Sequence, residues 1–460
     1  MLRLTAVSAQ EMAQSCAAAL TAAGQDRPGL VAGERFAIDV AITGPFADMQ
    51  RTQSLVLAAC WGALRVGIIP VMINPALPRQ DRLAQLADCQ PAAVATSTAE
   101  LEYLLQIGSG LPSPELSGVP LGRPMHYTSG TTGQAKGVWS GVLSGDFAEH
   151  LWGEEQEQWQ LDPSDLTLVH GPLAHSGPLR FAMLTLLAGG DVLLPGIFDA
   201  DLIAQSMHED KPTHAFVVPS HLQRLFALPS PLPSSPYRLL THAGAACPER
   251  LKRAIHDWNG AARTWEFYGA TEGQFSACSG EEWEQRPGTV GKARAGRTLR
   301  IDDGVIWCEA PRWSSFEYWR DPTKTTAAWR DTSSGREFSV GDLGELDSDG
   351  YLYIDGRRED LIITGGVNVY PARIESVLSG CPRVNEVVVF GEPDARWGTA
   401  VCAVVVGDTN KADLLEFARQ HLAKYEVPKS VYFVEDLPRT ASGKVRRVEL
   451  RDAFASGPLD

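Results

Sequence analysis

Two short runs in this chain lead hydroxyls and glycines into a lysine: Tyr127-Thr128-Ser129-Gly130-Thr131-Thr132-Gly133-Gln134-Ala135-Lys136-Gly137, and Pro438-Arg439-Thr440-Ala441-Ser442-Gly443-Lys444. Glycine lets backbone N–H groups approach an anion with no Cβ in the way, the hydroxyls donate further bonds, and the lysine adds a point charge. That combination suits a polyphosphate. The first run is not a Walker motif, because Gly130-x-x-Gly133-x-x-Lys136 lacks the Gly-Lys-Ser/Thr ending. Lys444 lies far downstream on its own Gly-flanked loop, as expected of a separate mobile part that completes the site. The pair points to an enzyme that uses ATP.

Positioning such loops takes alternating strands and helices. Apolar β-rich runs at Arg35–Ile42, Ile68–Ile73, Ala92–Ala95, Leu166–Val169, His214–Val218 and Thr264–Phe267 predict strands. Ala200–His208 and Pro248–Trp258 repeat apolar residues at helical spacing, with Pro248 expected in the first turn. The Gly/Pro/Ser-rich stretch Ser109–Pro124 reads as a surface loop into the strand before the phosphate loop. Near residue 357 a short strand, Tyr351–Ile354, gives way to the charged run Gly356-Arg357-Arg358-Glu359-Asp360, which reads as an exposed linker. Beyond it, strands at Glu386–Phe390, Cys402–Val406 and Ser430–Val434 and helices at Pro371–Leu378 and Lys411–Leu422 suffice for a small second domain. Lys444 therefore belongs to a different body from Lys136.

Composition sets limits. A chain of 460 residues exceeds what one core usually serves. A formal net charge of −15 argues against nucleic acid as a partner, since that affinity rests on clustered Lys and Arg. The 8 cysteines are scattered without a C-x-x-C pair and read as small buried residues in a reducing cytoplasm. The most apolar region, Leu55 to Ile73, is broken by Arg65, Gly67 and Pro70, so it predicts a core helix and a buried strand and no membrane partner. The N-terminal stretch carries Gln10, Glu11 and Gln14 where an export signal needs its apolar run, so the expected location is cytoplasmic.

Further motifs follow in order: Tyr268-Gly269-Ala270-Thr271-Glu272, Gly341-Asp342-Leu343-Gly344, Gly356-Arg357 through Asp360, and Thr364-Gly365-Gly366-Val367-Asn368-Val369-Tyr370-Pro371. With the two lysine motifs, the chain resembles the adenylate-forming superfamily of acyl-CoA synthetases, nonribosomal adenylation domains and luciferases, over nearly its whole length. The resemblance is closest to the acyl- or aryl-CoA ligase branch. It implies an α/β fold with a large, multi-subdomain N-terminal adenylating domain (1–357), a small mobile α+β C-terminal lid (361–460) and a hinge near 358–360. By resemblance, Thr128, Ser129, Gly130, Thr131, Thr132, Gly133 and Lys136 would hold the β- and γ-phosphates of ATP. Thr271 would touch the α-phosphate, and Glu272 would coordinate Mg²⁺. Tyr268 would stack on adenine, and Asp342 and Arg357 would bind the ribose. Lys444 would bridge the carboxylate and the α-phosphate. Asp360 would be the pivot about which the lid presents Gly365 and Gly366 for thiol attack. The chemistry explains the set: charge developing at phosphorus must meet preplaced cations and N–H donors.

The resemblance also implies an acyl pocket around His175, as the gate, and Ala243, Gly244 and Ala245. No aspartate follows His170 where amino-acid-activating relatives hold the α-ammonium, which argues against α-amino acids. Arg180 and Asp191 are candidate pocket charges against helix-surface and strand-end readings. The expected reaction is activation of an aryl or medium-length acyl acid, then thioester formation on coenzyme A. A carrier-protein phosphopantetheine as acceptor, or activation of nitrite to diazotise an aryl amine, stays open. An idle nucleotide-binding scaffold fits least, since Lys136, Glu272, Asp342, Arg357 and Lys444 are all intact. For coenzyme A, Lys424 and Lys429 are candidate phosphate contacts against a reading as solvated charge. Three departures stand out: Ala135 replaces the usual proline, Val340 the usual threonine, and Val367 a commonly polar or aromatic residue. The 126 residues before Tyr127 are few for the family, implying a trimmed N-terminal region.

Overall fold

The computed structural model describes residues 1–23, 28–128, 135–394, 396–439 and 445–455. Ser129, Gly130, Thr131, Thr132, Gly133 and Lys444 lie outside the described residues.

Two mixed sheets carry the larger part. The 8-stranded sheet runs Leu2–Leu4, Asp191–Leu194, Leu166–Val169, His214–Val217, Leu239–His242, Thr264–Gly269, Gln274–Ser279, Lys292–Ala293. Its five inner strands from Asp191–Leu194 to Thr264–Gly269 are mutually parallel, and the flanking strands pair antiparallel. The second sheet has six strands in the order Glu317–Tyr318, Lys136–Trp139, Met125–Thr128, Ile69–Met72, Arg35–Ile38, Ala93–Ala95. Parallel strands covered on both faces need continuous apolar runs, and Leu166–Val169, Leu239–His242 and Ile69–Met72 are buried throughout.

The helix Phe46–Arg65 shows why the two sheets come together. From Thr52 to Leu64 every residue is buried, so no polar face is left for water. A helix apolar all round must sit inside the protein. It packs on Ile69–Met72 of one sheet and on Asp191–Leu194 of the other. Leu55, Leu57, Trp61, Leu64, Ile69, Val71, Leu179 and Phe216 join in one core across both sheets.

A third, antiparallel sheet contains Asp342–Leu346 paired with Leu352–Arg357, so that Asp342 stands opposite Arg357. Gly356 and Arg357 therefore end a strand, and Arg358–Asp360 forms a 3₁₀ turn; the run expected as a linker is largely ordered by pairing. Separate cores lie downstream. One gathers Ile362, Ile374, Leu378, Val389, Val405 and Leu414; another gathers Val388, Phe390, Cys402 and Leu450. They surround Val384–Asp394, Gly398–Gly407 and Ser430–Phe433, a three-stranded sheet. The helices Pro371–Leu378 and Lys411–His421 cover the first core.

Most sequence expectations for elements agree within a few residues. Pro248 is an exception: it is the N-cap, with ψ 140°, and the helix begins at Glu249. All eight cysteines are free, and seven are buried, Cys247 being half-buried. Among the described residues no helix is long and apolar enough to cross a membrane.

Candidate active site

Several of the residues singled out from sequence lie beyond the carboxyl ends of parallel strands, where open α/β sheets place ligands. Thr128 ends Met125–Thr128, Ala243 follows Leu239–His242, and Ala270–Gly273 follows Thr264–Gly269. On either side of residues 129–135, antiparallel pairing sets Thr128 beside Lys136 and Tyr127 beside Gly137.

Thr271 and Glu272 sit in a tight reversal, closed by Ala270 N–H donating to the Gly273 carbonyl at 2.8 Å. Only glycine fits at 273, since a Cβ would lie 2.6 Å from the Phe338 ring. Two side chains anchor this turn that no motif announced. Arg123 donates from Nη1 to the carbonyls of Glu272 at 3.1 Å and Thr271 at 3.4 Å, and from Nη2 to Ser315 at 3.2 Å. Burial lowers its guanidinium to about 10, against the pull of Glu154 and Glu272. Tyr318 donates its hydroxyl to Glu272 Oε1 at 2.9 Å. Burial, then the Glu272 charge, raises the phenol, so it stays a donor. Lys136 Nζ lies 5.0 Å from the centre of the same ring, a cation–π distance. Glu272 is buried, and its second oxygen has no hydrogen-bond partner among the described residues.

A second polar chain joins the third sheet. Tyr268 donates its hydroxyl to Asp342 Oδ2 at 2.5 Å, and Arg357 Nε faces Asp342 Oδ1 at 3.4 Å. Burial and then the Asp342 charge push the Tyr268 phenol well up, which keeps it protonated. Its ring packs 4.8 Å from Phe275, so the strand fixes the phenol between the large sheet and Asp342. Tyr318 and Lys136 thus approach the Ala270–Gly273 reversal at Glu272, and Tyr268, on the strand that leads into it, joins Asp342 and Arg357.

His175, expected from sequence at an acyl pocket, is the N-cap of the helix Ser176–Leu187. Behind it His126 Nδ1 lies 3.0 Å from the Ala174 carbonyl, so Nδ1 carries the proton. Burial drives His126 down to about 4 despite that bond. Ala243 is buried; Gly244 (φ +86°) and Ala245 are exposed. Asp191 is the strand-end residue, paired with Arg3 at 2.8 Å. Arg180 corrects its helix-surface reading, because its guanidinium lies between Glu155 and the rings of Phe181 and Phe267. Lys429 Nζ meets the Lys424 carbonyl at 3.3 Å in an exposed contact.

In the downstream region Ile362–Thr364 and Val367–Val369 form a hairpin whose turn residues Gly365 and Gly366 have φ +57° and +82°. Two successive positive φ values are the demand of a type I′ turn, which favours glycine. Asp360 ends the 3₁₀ turn, and its charge helps raise the pKa of Arg447, which binds Glu375.

The AMP-binding enzyme family matches residues 124–305, and the AMP-binding enzyme C-terminal domain matches residues 373–444. Indoleacetate–CoA ligase of Aromatoleum aromaticum is 31% identical over 456 residues, covering 87% of this chain and 86% of that protein. This chain belongs to the AMP-binding, adenylate-forming family. Relatives such as indoleacetate–CoA ligase are acid–thiol ligases, and this chain shares the fold of solved family members. ATP-bound MatB from Rhodopseudomonas palustris superposes with a TM-score of 0.81 at 28% identity, covering 97% of this chain and 93% of that one. The o-succinylbenzoate CoA synthetase MenE of Bacillus subtilis, solved with its acyl-adenylate, gives 0.80 at 25% identity, covering 97% and 93%. The family reaction is ATP-dependent formation of an acyl-adenylate followed by ligation to coenzyme A.

Proposed function

We propose that this chain activates an aryl or medium-length carboxylic acid with ATP and Mg²⁺, and passes the acyl group to coenzyme A. The observation that carries the reading is the convergence of Lys136, Tyr318 and Glu272 with Tyr268, Asp342 and Arg357 around the Thr271–Glu272 reversal. In the first step a carboxylate oxygen bonds to the α-phosphorus and the bond to the β-phosphate oxygen breaks, releasing pyrophosphate. Lys136 and the loop before it bind the β- and γ-phosphates, and Thr271 binds the α-phosphate. Asp342, oriented by Tyr268 and Arg357, accepts from the ribose hydroxyls. Glu272 fits Mg²⁺, since a buried carboxylate with one uncommitted oxygen is a hard donor that leaves room for phosphate ligands. Bound there, the ion would neutralise charge developing on the phosphates. Lys444 completes the first step. In the second, the hinge at Asp360 presents the Gly365–Gly366 turn, the thiolate sulfur bonds to the acyl carbon, and AMP leaves. The domains divide at 357 and 361, between the Leu352 and Ile362 cores.

The test is mass spectrometry of products from indoleacetate, o-succinylbenzoate, benzoates and C4–C10 acids with ATP, Mg²⁺ and coenzyme A. An acyl-CoA product supports the full reading. An adenylate that accumulates without thioester moves the acceptor to a carrier protein or a nitrogen nucleophile. No ATP cleavage with any acid refutes it.

A further inference from the structure

Glu154 and Glu155, on the helix Gly145–Trp159, face a cluster of guanidinium groups next to the Thr271–Glu272 reversal. Glu155 accepts from Arg294 Nη1 at 2.7 Å and from Trp159 Nε1 at 2.9 Å. Glu154 accepts from Arg297 Nη2 at 2.6 Å and from Trp313 Nε1 at 3.1 Å. Burial alone would raise the Glu155 carboxyl, but Arg180 and Arg294 overcome this and hold it at about 2. Both carboxylates are already committed to these donors. Arg123, anchored on main-chain carbonyls, and Arg180 then stand as cations in excess of these two acids.

Arg180 differs from the other three. Its side chain is 17% exposed, and it makes no hydrogen bond among the described residues. Glu155 lies 3.7 Å from Arg180 Nη1, too far for a hydrogen bond. The Phe181 and Phe267 ring centres lie 5.2 and 5.0 Å from its Cζ. Stacking on rings stabilises the charge but leaves the in-plane N–H donors unused. Arg294 and Arg297 also line a cavity of about 560 Å³ at the far end of the Gly145–Trp159 helix, which Arg180 does not reach. Arg180 Nε is buried without a hydrogen-bond partner, so the fork is left incomplete by the described protein groups and an anion can complete it.

The place of Arg180 says where that anion comes from. It stands on the helix that His175 caps, and Phe267 directly precedes Tyr268. Phe267 packs 5.7 Å from Phe216, and Phe216 fills the space over Gly177, where a Cβ would meet it at 2.5 Å. Ala243 shares the core of Phe216 and Phe267. Gly177, Phe216, Phe267 and Ala243 thus form one layer of the acyl side, with Arg180 against it.

Given the ligase reading, on which this rests, we propose that Arg180 determines substrate specificity and that the acid it selects is a dicarboxylic acid, whose non-reacting carboxylate pairs with the Arg180 guanidinium. A planar carboxylate matches the guanidinium fork with two parallel bonds. A neutral tail would leave the donors idle, and an amine would repel the charge.

The experiment is pyrophosphate exchange with the full chain over matched acids. The pairs are butanoate to octanoate against succinate to suberate, and benzoate and phenylacetate against their 3- and 4-carboxy derivatives. The half-amides of the same diacids are included. In at least one pair the diacid should exceed its monoacid and its half-amide by about 10- to 100-fold in kcat/KM. Arg180→Met should collapse that ratio through KM, and Arg180→Lys, keeping charge without the fork, should restore part of it. Thermal melts report folding; Arg180→Met should melt no lower than the parent, because it removes an incompletely paired cation. Monoacids or half-amides equal to the diacid in every pair would overturn the proposal alone. So would equal loss for both acid types in both variants, the mark of a structural role. Exchange with no acid, by folded protein, would overturn the ligase reading together with it.

Discussion

Replacing Arg123 with methionine separates anchoring the catalytic turn from holding the fold together. Its three bonds to the carbonyls of Thr271, Glu272 and Ser315 are each worth about 1 kcal/mol, so roughly 3 kcal/mol is lost. Burial opposes this: lowering the guanidinium from 12.5 to about 10 corresponds to roughly 3 kcal/mol of penalty that methionine escapes. The two nearly cancel, so global stability by denaturant titration should change by about 1 kcal/mol or less. The turn, however, loses its anchor. A displacement of about 1 Å at Thr271 and Glu272 should lower pyrophosphate-exchange kcat/KM by about 100-fold. The Mg²⁺ concentration for half-maximal rate should rise with it. Parental exchange and Mg²⁺ dependence would refute the anchoring role. A fall in stability of several kcal/mol with activity lost in proportion would make Arg123 a fold residue only.

Tyr318→Phe removes one hydrogen bond to Glu272 and should weaken Mg²⁺ dependence by about 5- to 10-fold, about 1–1.4 kcal/mol, with little change in KM for the acid; an Mg²⁺ titration of exchange checks this. At Gly366 space is open but φ is +82°, so Gly366→Val strains the turn by about 1–2 kcal/mol without a clash. Thioester formation in rapid quench should slow more than adenylation, and equal slowing would refute a role confined to the second step. Acid should destabilise the fold before carboxylates matter. Burial holds His126 at about 4 and His214 at about 3, and His170 and His242 well below the usual value. The unfolded chain takes these protons near 6.5, so stability is fully present above that pH and falls as pH drops toward 4. Each buried histidine contributes a slope of about 1.4 kcal/mol per pH unit near pH 5, so the four together give roughly 5. Denaturant titrations at pH 7, 6 and 5 test it, and a flat profile would refute their neutral burial.

Some of the site was legible because its parts are local. A phosphate loop, a tight reversal and a two-glycine turn are each written in consecutive residues, since backbone conformation and N–H placement depend on near neighbours. The family and the order of strands and helices came from the same local record. Arg123 was not legible: its partners Thr271 and Glu272 are 148 and 149 residues away, and nothing around it marks a buried guanidinium. Tyr318 reaches Glu272 across 46 residues and reads in sequence as one more aromatic.

Two further outcomes belong to tertiary structure alone. Gly356 and Arg357 look like a solvated linker by composition, yet pairing with Leu343 and Asp342 makes them strand. Arg180 looks like the polar point of a helix, and only the approach of Glu155 and Phe267 from other elements buries it. The sequence by itself determined the family, the α/β class and the places of the loop motifs along the chain, because short-range chemistry fixes loops and periodicity. Which charges are buried, which are paired and which await a partner was decided only by the packing of distant elements, because desolvation and charge pairing depend on proximity in space.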